Sequence, residues 1–192
     1  MKLIFATTNV GKLAELKALV GDRIQVLSAN DVGLAPVDED ADSFAGNAVK
    51  KAESATRATG LWALADDSGL CVEALGGRPG VHSARYGRDD GERMGRILQE
   101  LEATDPALRV ATFECALALC GPGVATVVER GTCTGRIALA PRGTQGFGYD
   151  PIFECTPDGR TFAELSRDEK AKYSHRGQAF AQMQRHLQRL HL

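Results

Sequence analysis

The 192-residue chain lacks any Cys-x-x-Cys pair, and its five cysteines (Cys71, Cys115, Cys120, Cys133, Cys155) are odd in number. That speaks against a disulfide framework and for reduced thiols, most of them in apolar, strand-like runs. The histidines, at 82, 175, 186 and 191, fall at no metal-ligand spacing, which argues against zinc. The longest apolar runs, 61–65 and 115–120, are far too short to cross a bilayer. Before the polar Thr7-Thr8-Asn9, the stretch Met1-Lys2-Leu3-Ile4-Phe5 is too short for a secretion signal, so a cytoplasmic location is expected. There is no basic excess: the formal net charge is −2, which disfavours a protein that coats nucleic acid. A small anion held by a few local lysines stays open. No repeat, low-complexity tract or Pro/Ser-rich linker divides the chain, and one domain over 1–192 is expected.

What is present is ordinary globular composition, with 43% hydrophobic and 25% charged residues. A chain of this length buries about 70% of its unfolded surface and needs no staple. A short strand is expected at 2–6, then a helix over 11–20 with Leu13, Leu16 and Leu19/Val20 on one face. A strand at 23–28 and an acidic loop, Val37 to Asp42, lead into a long helix over 43–59 that Gly60 stops. The apolar strand 61–65 ends at Asp66-Asp67-Ser68-Gly69, and 70–74 continues extended. A charged helix covers 91–103. Two long strands, 108–120 and 124–137, flank the turn Gly121-Pro122-Gly123. A glycine-rich loop, a short strand at 151–154 and a terminal helix at 175–190 follow, the last with Phe180, Met183, Leu187 and Leu190 inward. Helices alternating with strands predict a mixed α/β fold.

Five segments can carry chemistry. Thr7-Thr8-Asn9-Val10-Gly11-Lys12 joins a strand to a helix, whose unpaired first N–H groups attract phosphate. It is no Walker loop, because Ala6 and Leu13 replace the required glycine and Ser/Thr; a plain polar cap is the competing reading. Asp66-Asp67 at a strand end can offer oxygens to Mg²⁺ or take a proton from water, or can simply make an Asx turn. Ser43, Asn47 and Lys51 share one helix face, which is ordinarily a solvated one, and Glu39 lies just upstream. Gly146-Phe147-Gly148-Tyr149-Asp150-Pro151 sets two aromatics between glycines, suited to stacking on a base or to plugging the core. Lys170 and Ser174-His175-Arg176-Gly177 put cations at a helix start, an electrostatically poor place that hints at a ligand. Together they make the parts of a nucleoside triphosphate pocket.

With Ser43-Phe44, Asn47-Ala48 and Lys51-Ala52, Asp66-Asp67-Ser68-Gly69-Leu70, Gly76-Gly77-Arg78-Pro79-Gly80, Ser83-Ala84-Arg85-Tyr86 and the aromatic and terminal blocks, the chain resembles the inosine/xanthosine triphosphate pyrophosphatases over nearly its whole length. The resemblance implies an elongated mixed β-sheet flanked by helices, two lobes with a central cleft, and a homodimer. It implies Mg²⁺-dependent hydrolysis of ITP, dITP and XTP to the monophosphate and pyrophosphate, removing deaminated purines from the nucleotide pool. Carried over by motif, Thr7, Thr8, Asn9, Val10, Gly11, Lys12, Lys51 and Lys170 hold phosphate. Asp67 is the catalytic base and a metal ligand, Glu39 the second ligand, and Ser68 lines the pocket. Phe147, Gly148, Tyr149 and Asp150 stack on and enclose the base, while His175 and Arg176 read its edge. Two positions depart from the pattern: Gly46, where the family usually has Glu, and His82, where it has Tyr. Glu39, Asp38 or Asp40 is then left to complete the metal shell. Three rivals stand beside this reading: a pyrophosphatase for modified pyrimidine triphosphates, a nucleotide-binding protein without turnover, and a serine hydrolase using Ser68. The last lacks the G-x-S-x-G elbow.

Overall fold

In the computed structural model, which describes residues 2–20 and 24–189, Lys2–Phe5 forms strand β1 and Val10–Val20 helix α1. Arg23, Leu190 and His191 lie outside the described residues. The elements that follow are β2 (Gln25–Ser28), α2 (Phe44–Thr59), β3 (Ala63–Val72), α3 (Asp90–Glu100), β4 (Val110–Cys120), β5 (Val127–Ile137), β6 (Phe153–Glu154), α4 (Arg167–Tyr173) and α5 (His175–Arg189). The strands form a mixed sheet in the order β2-β1-β3-β4-β5-β6, flanked by helices, an α/β fold. β1 pairs in parallel with β2 and β3, and β6 pairs antiparallel with β5. No helix among the described residues is long and apolar enough to cross a membrane.

The chain divides into two compact units. The first comprises Met1–Asp67, Cys115–Gly131 and Ala179–Leu192. Its core joins Leu3, Phe5, Leu16, Leu64, Leu117, Phe180, Met183 and Leu187, with Leu13, Leu19 and Val20 packed against it. That is the apolar stripe expected of both helices. Each such buried side chain contributes about 1.5–3 kcal/mol. Ser43 caps α2 by accepting the Gly46 N–H, and Gly60 ends the helix at φ 69°.

The second unit comprises Ser68–Glu114 and Thr132–Gln178. Its core gathers Leu70, Val72, Ile97, Leu101, Phe113, Tyr149, Phe153 and Phe162. Phe113 meets Phe153 edge-on at 4.7 Å and stacks on the His175 imidazole at 4.7 Å between centroids. Arg109 is buried and donates to the carbonyls of Leu101 and Ala138, tying α3 to the end of β5.

One expectation needs correcting here. Asp66-Asp67-Ser68-Gly69 is neither a strand end nor a turn: β3 runs unbroken from Ala63 to Val72. The segment has the residue types of a turn, but the strand persists through it. β1 is what stops, its pairing to β3 ending at Phe5 opposite Leu64. The two aspartates lie just past the point where that neighbour turns away.

Candidate active site

Successive side chains of a strand point to opposite faces, and that alternation separates the two aspartates of β3. Asp66 turns towards α1: its Oδ1 pairs with Lys12 Nζ, and its Oδ2 accepts a hydrogen bond from the Cys115 thiol at 3.1 Å. Asp67 turns towards α2: its Oδ2 accepts from Asn47 Nδ2 at 3.0 Å, and Lys51 Nζ lies 3.3 Å from its Oδ1. The two carboxylates are therefore not one tandem donor set.

Lys51 also holds Glu39, at 2.6 Å. The acidic loop that carries Glu39 is tied down by Asn47, whose Oδ1 accepts the Ala41 N–H at 3.0 Å. Gly46 permits that closure, since a Cβ there would lie 2.8 Å from Ala41 Cβ. Of the three acids proposed for the metal shell, Glu39 alone shares Lys51 with Asp67. Asp38 is exposed, and Asp40 pairs with Lys50 on the surface. The Ser43, Asn47, Lys51 stripe is thus no solvated face: Ser43 caps the helix, Asn47 is buried, and Lys51 is 12% exposed. Asn47 joins the site although no role was assigned to it from sequence. Its spacing of four from Lys51 was the available signal.

Burial is the largest influence on the ionisation of both Asp67 and Lys51. For Lys51 it opposes the charge, but Asp67 and Glu39 together outweigh it and hold the ammonium above the ordinary lysine range. For Asp67 burial outweighs Lys51, Lys12 and the Asn47 bond, and Glu39 adds repulsion, so its pKa is raised. Glu39 and Asp67 share the Lys51 ammonium, and Asp66 pairs with Lys12.

The turn 7–12 caps helix α1 through its own side chains. Asn9 Oδ1 caps α1 by accepting the Lys12 N–H at 3.0 Å, and Thr7 Oγ1 accepts from Asn9 N at 3.1 Å. Thr8, Asn9 and Val10 are exposed, and Gly11 is half-buried.

In the second unit, Asp150 organises the aromatic loop. Its Oδ2 accepts from Phe147 N at 2.9 Å and from Lys170 Nζ at 2.6 Å. Gly146 has φ 76°, and a Cβ on it would meet that same oxygen at 2.0 Å. Gly148 N donates to Asp90 Oδ2 at 2.7 Å. Phe147 is half-buried, with Lys170 Nζ 5.1 Å and the Arg176 guanidinium 5.7 Å from its ring centre. Arg176 Nη2 donates to Ser68 Oγ at 3.0 Å. His175, 3% exposed, lies in the Phe113–Phe162 stack.

Tyr149 does not serve as a stacking surface. Its ring is in the core, its hydroxyl donates to the Ser83 carbonyl at 2.9 Å, and burial pushes its pKa up. Of the two aromatics, Phe147 remains as the shelf. Helix α4, which positions Lys170, went unread in the sequence; its signal is the capping box of Ser166 and Glu169. His82 sits on a turn with its Nδ1 3.5 Å from Arg85 Nη2.

Comparison with known proteins shows the family. The model of the Ham1 family matches residues 3–186. The chain is 47% identical over 187 residues to the dITP/XTP pyrophosphatase of Geobacillus kaustophilus, covering 95% of this chain and 92% of that one. It is 50% identical over 177 residues to that of Gloeobacter violaceus, covering 92% and 89%. A solved HAM1 protein from Coxiella burnetii superposes with TM-score 0.87 at 41% identity, over 98% of this chain and 99% of the other. Sequence blocks, fold and whole-length similarity therefore agree, and the chain belongs to the Ham1 family.

Proposed function

We propose that this protein hydrolyses non-standard purine nucleoside triphosphates, ITP, dITP and XTP, to the monophosphate and pyrophosphate. The observation that carries the reading is Asp67: a buried carboxylate oriented by Asn47, sharing one ammonium with Glu39, beside a capped helix start rich in phosphate-binding groups. The whole chain works as one catalytic domain, as a cytoplasmic homodimer.

In this mechanism the triphosphate lies against Thr7, Thr8, Asn9, Val10, Gly11 and Lys12, with Lys51 adding charge. A phosphate at that helix start gains about 0.3–1 kcal/mol per well-placed charge. Asp67 takes a proton from water as the water oxygen attacks the α-phosphorus. The bond from that phosphorus to the bridging oxygen breaks, and pyrophosphate leaves with the electron pair. Burial suits Asp67 to the task by raising its proton affinity. Glu39 and Asp67 would hold Mg²⁺, whose hard-oxygen preference their carboxylates meet, and the ion would neutralise charge on the phosphate oxygens. The donor set fits, because two hard-oxygen carboxylates meet at the single ammonium of Lys51. No three His, Cys, Asp or Glu side chains form a metal cage among the described residues. Water and phosphate oxygens would complete the shell, as is usual for Mg²⁺.

The base lies on Phe147, and Arg176 and His175 read its 6-oxo edge, with Ser68 beside Arg176. Lys170, assigned to phosphate by the resemblance, works at the base in this reading. Its partner Asp150 and the Phe147 ring beneath it both belong to the aromatic loop. An adenine amino group would leave such donors unpaired at about 1–3 kcal/mol each. The test is pyrophosphate release from ITP, dITP, XTP, ATP, GTP and modified pyrimidine triphosphates, with and without Mg²⁺. Turnover of ITP, dITP and XTP that chelation abolishes is expected, with far less from ATP or GTP. Binding without release, or a preference for pyrimidines, would overturn the reading.

A further inference from the structure

Asp66 is adjacent to the proposed base in sequence, yet it serves a different partner. One carboxylate oxygen grips Lys12 and the other accepts the Cys115 thiol at 3.1 Å. All three groups are withdrawn from solvent: the Asp66 side chain is 0% and that of Lys12 16% exposed, and Cys115 is 2% exposed. Cys115 is anchored on β4 in the apolar cluster of Phe5, Leu64 and Leu117, so its sulfur has little freedom to move. Lys12, by contrast, carries its charge on a flexible four-carbon stem and gains a defined position only from what holds its far end.

From this geometry we infer that Cys115 is a positioning residue for phosphate binding. Its thiol fixes the rotation of the Asp66 carboxylate, and the carboxylate in turn holds the Lys12 ammonium where the triphosphate meets it. The inference rests on reading Lys12 as a phosphate-binding residue. A thiol suits this place because it is a weak, neutral donor. It occupies Oδ2 without cancelling the negative charge that Asp66 presents to Lys12. A buried carboxylate deprived of a donor is costly and reorients towards any other partner in reach, carrying the ammonium with it.

The experiment measures kcat and KM for ITP by pyrophosphate release in the parent, Cys115→Val, Cys115→Ser, Lys12→Ala and Cys115→Val/Lys12→Ala. Valine keeps the space filled without a donor, and serine keeps a donor. Loss of a hydrogen bond to a charged group that acts on ground-state binding should raise KM about tenfold in Cys115→Val while kcat stays within about threefold. Cys115→Ser should return KM towards the parent value. In the Lys12→Ala background, Cys115→Val should add less than about twofold, because its effect passes through Lys12.

A Cys115→Val penalty that persists undiminished without Lys12 overturns the inference while Lys12 keeps its role. So does a serine variant as impaired as valine, or a valine variant with parental KM. A Lys12→Ala variant with parental KM overturns the reading of Lys12 itself, and the inference falls with it. Thermal denaturation confirms that each variant is folded, and Cys115→Ala replaces Cys115→Val if the latter is not.

Discussion

The two units arrange their buried charges in contrasting ways. In the first, Asp66 pairs with Lys12, while Glu39 and Asp67 share Lys51. In the second, Asp150 and Lys170 form a buried pair, 2.6 Å apart and 4% and 7% exposed, among aromatic rings. The first brings two carboxylates to one ammonium, and burial raises the proton affinity of Asp67. The second fixes the shape of the aromatic loop. In the proposed function, chemistry belongs to the first cluster and discrimination to the second. Substitutions in the first should therefore reduce turnover of every substrate, whereas those in the second should change the ratio between substrates.

The largest effect is expected at Asp67. Asp67→Asn keeps the shape and can still contact Lys51, but it removes the proton acceptor and one negative charge. Loss of a general base costs about 10²–10⁴-fold, so kcat for pyrophosphate release should fall by at least 10²-fold on ITP and XTP alike. A variant within about threefold of the parent would move the base elsewhere and dissolve the contrast between the units.

Next in size is Arg176→Ala. A charged hydrogen bond is worth about 1.5–3 kcal/mol, which corresponds to roughly 10- to 150-fold in kcat/KM for the 6-oxo substrates. Arg176 is 2% exposed and bonded to Ser68, so some loss of stability will accompany the change. That loss is common to all substrates, and the informative quantity is the ratio of kcat/KM for ITP and XTP to that for ATP. A fall by one factor across the panel would assign Arg176 to phosphate or to structure.

The sequence made some of this legible and hid the rest for physical reasons. Helix α1 and the end of α5 could be read because Leu13, Leu16, Phe180, Met183 and Leu187 recur at helical spacing and do face a core. The ends of α2 were legible in Ser43 and Gly60, which act locally. β3 was read as broken because Asp-Asp-Ser-Gly has turn chemistry, and local propensity cannot register the sheet that keeps the strand going. The same misreading hid the separation of Asp66 from Asp67. Phe147 and Tyr149 are both aromatic and flanked by glycine; only the Ser83 carbonyl, distant in sequence, identifies Tyr149 as the core residue. The pairing of Lys170 with Asp150, twenty residues away, was likewise beyond what local spacing shows.

A smaller effect is expected at Asp90, which accepts the Gly148 N–H at 2.7 Å and pairs with Arg93. Asp90→Ala removes one of the bonds that hold the aromatic loop. With Asp150 and the Tyr149 hydroxyl still in place, kcat/KM for ITP should fall only about 3- to 10-fold, the value of one net hydrogen bond. Its ratio to ATP should narrow. Unchanged selectivity would show that the loop needs no support from α3.

The smallest effect in stability, and the sharpest test of the first unit, is Gly46→Ala. In an unobstructed helix this change stabilises by about 1 kcal/mol. Here the new methyl would lie 2.8 Å from Ala41 Cβ and 3.2 Å from Ser43 Oγ. Ala41 Cβ is fixed to its backbone, so relief requires the acidic loop to lift away from α2. The gain in helix propensity and the cost of moving the loop act in opposite directions, and the melting temperature should shift by no more than a few degrees. Activity is where the change should register, because the loop that moves carries Glu39 and the Ala41 N–H bonded to Asn47. Turnover should fall several-fold and require more Mg²⁺ for half-maximal rate, as one of the two proposed metal carboxylates is displaced. Gly146 makes the control from the second unit. A side chain there meets Asp150 at 2.0 Å, so Gly146→Ala should alter the ratio of ITP to ATP without altering the Mg²⁺ requirement. If Gly46→Ala gains stability and keeps both its rate and its Mg²⁺ dependence, the loop is not held by that contact, and Glu39 is not the metal ligand proposed beside Asp67.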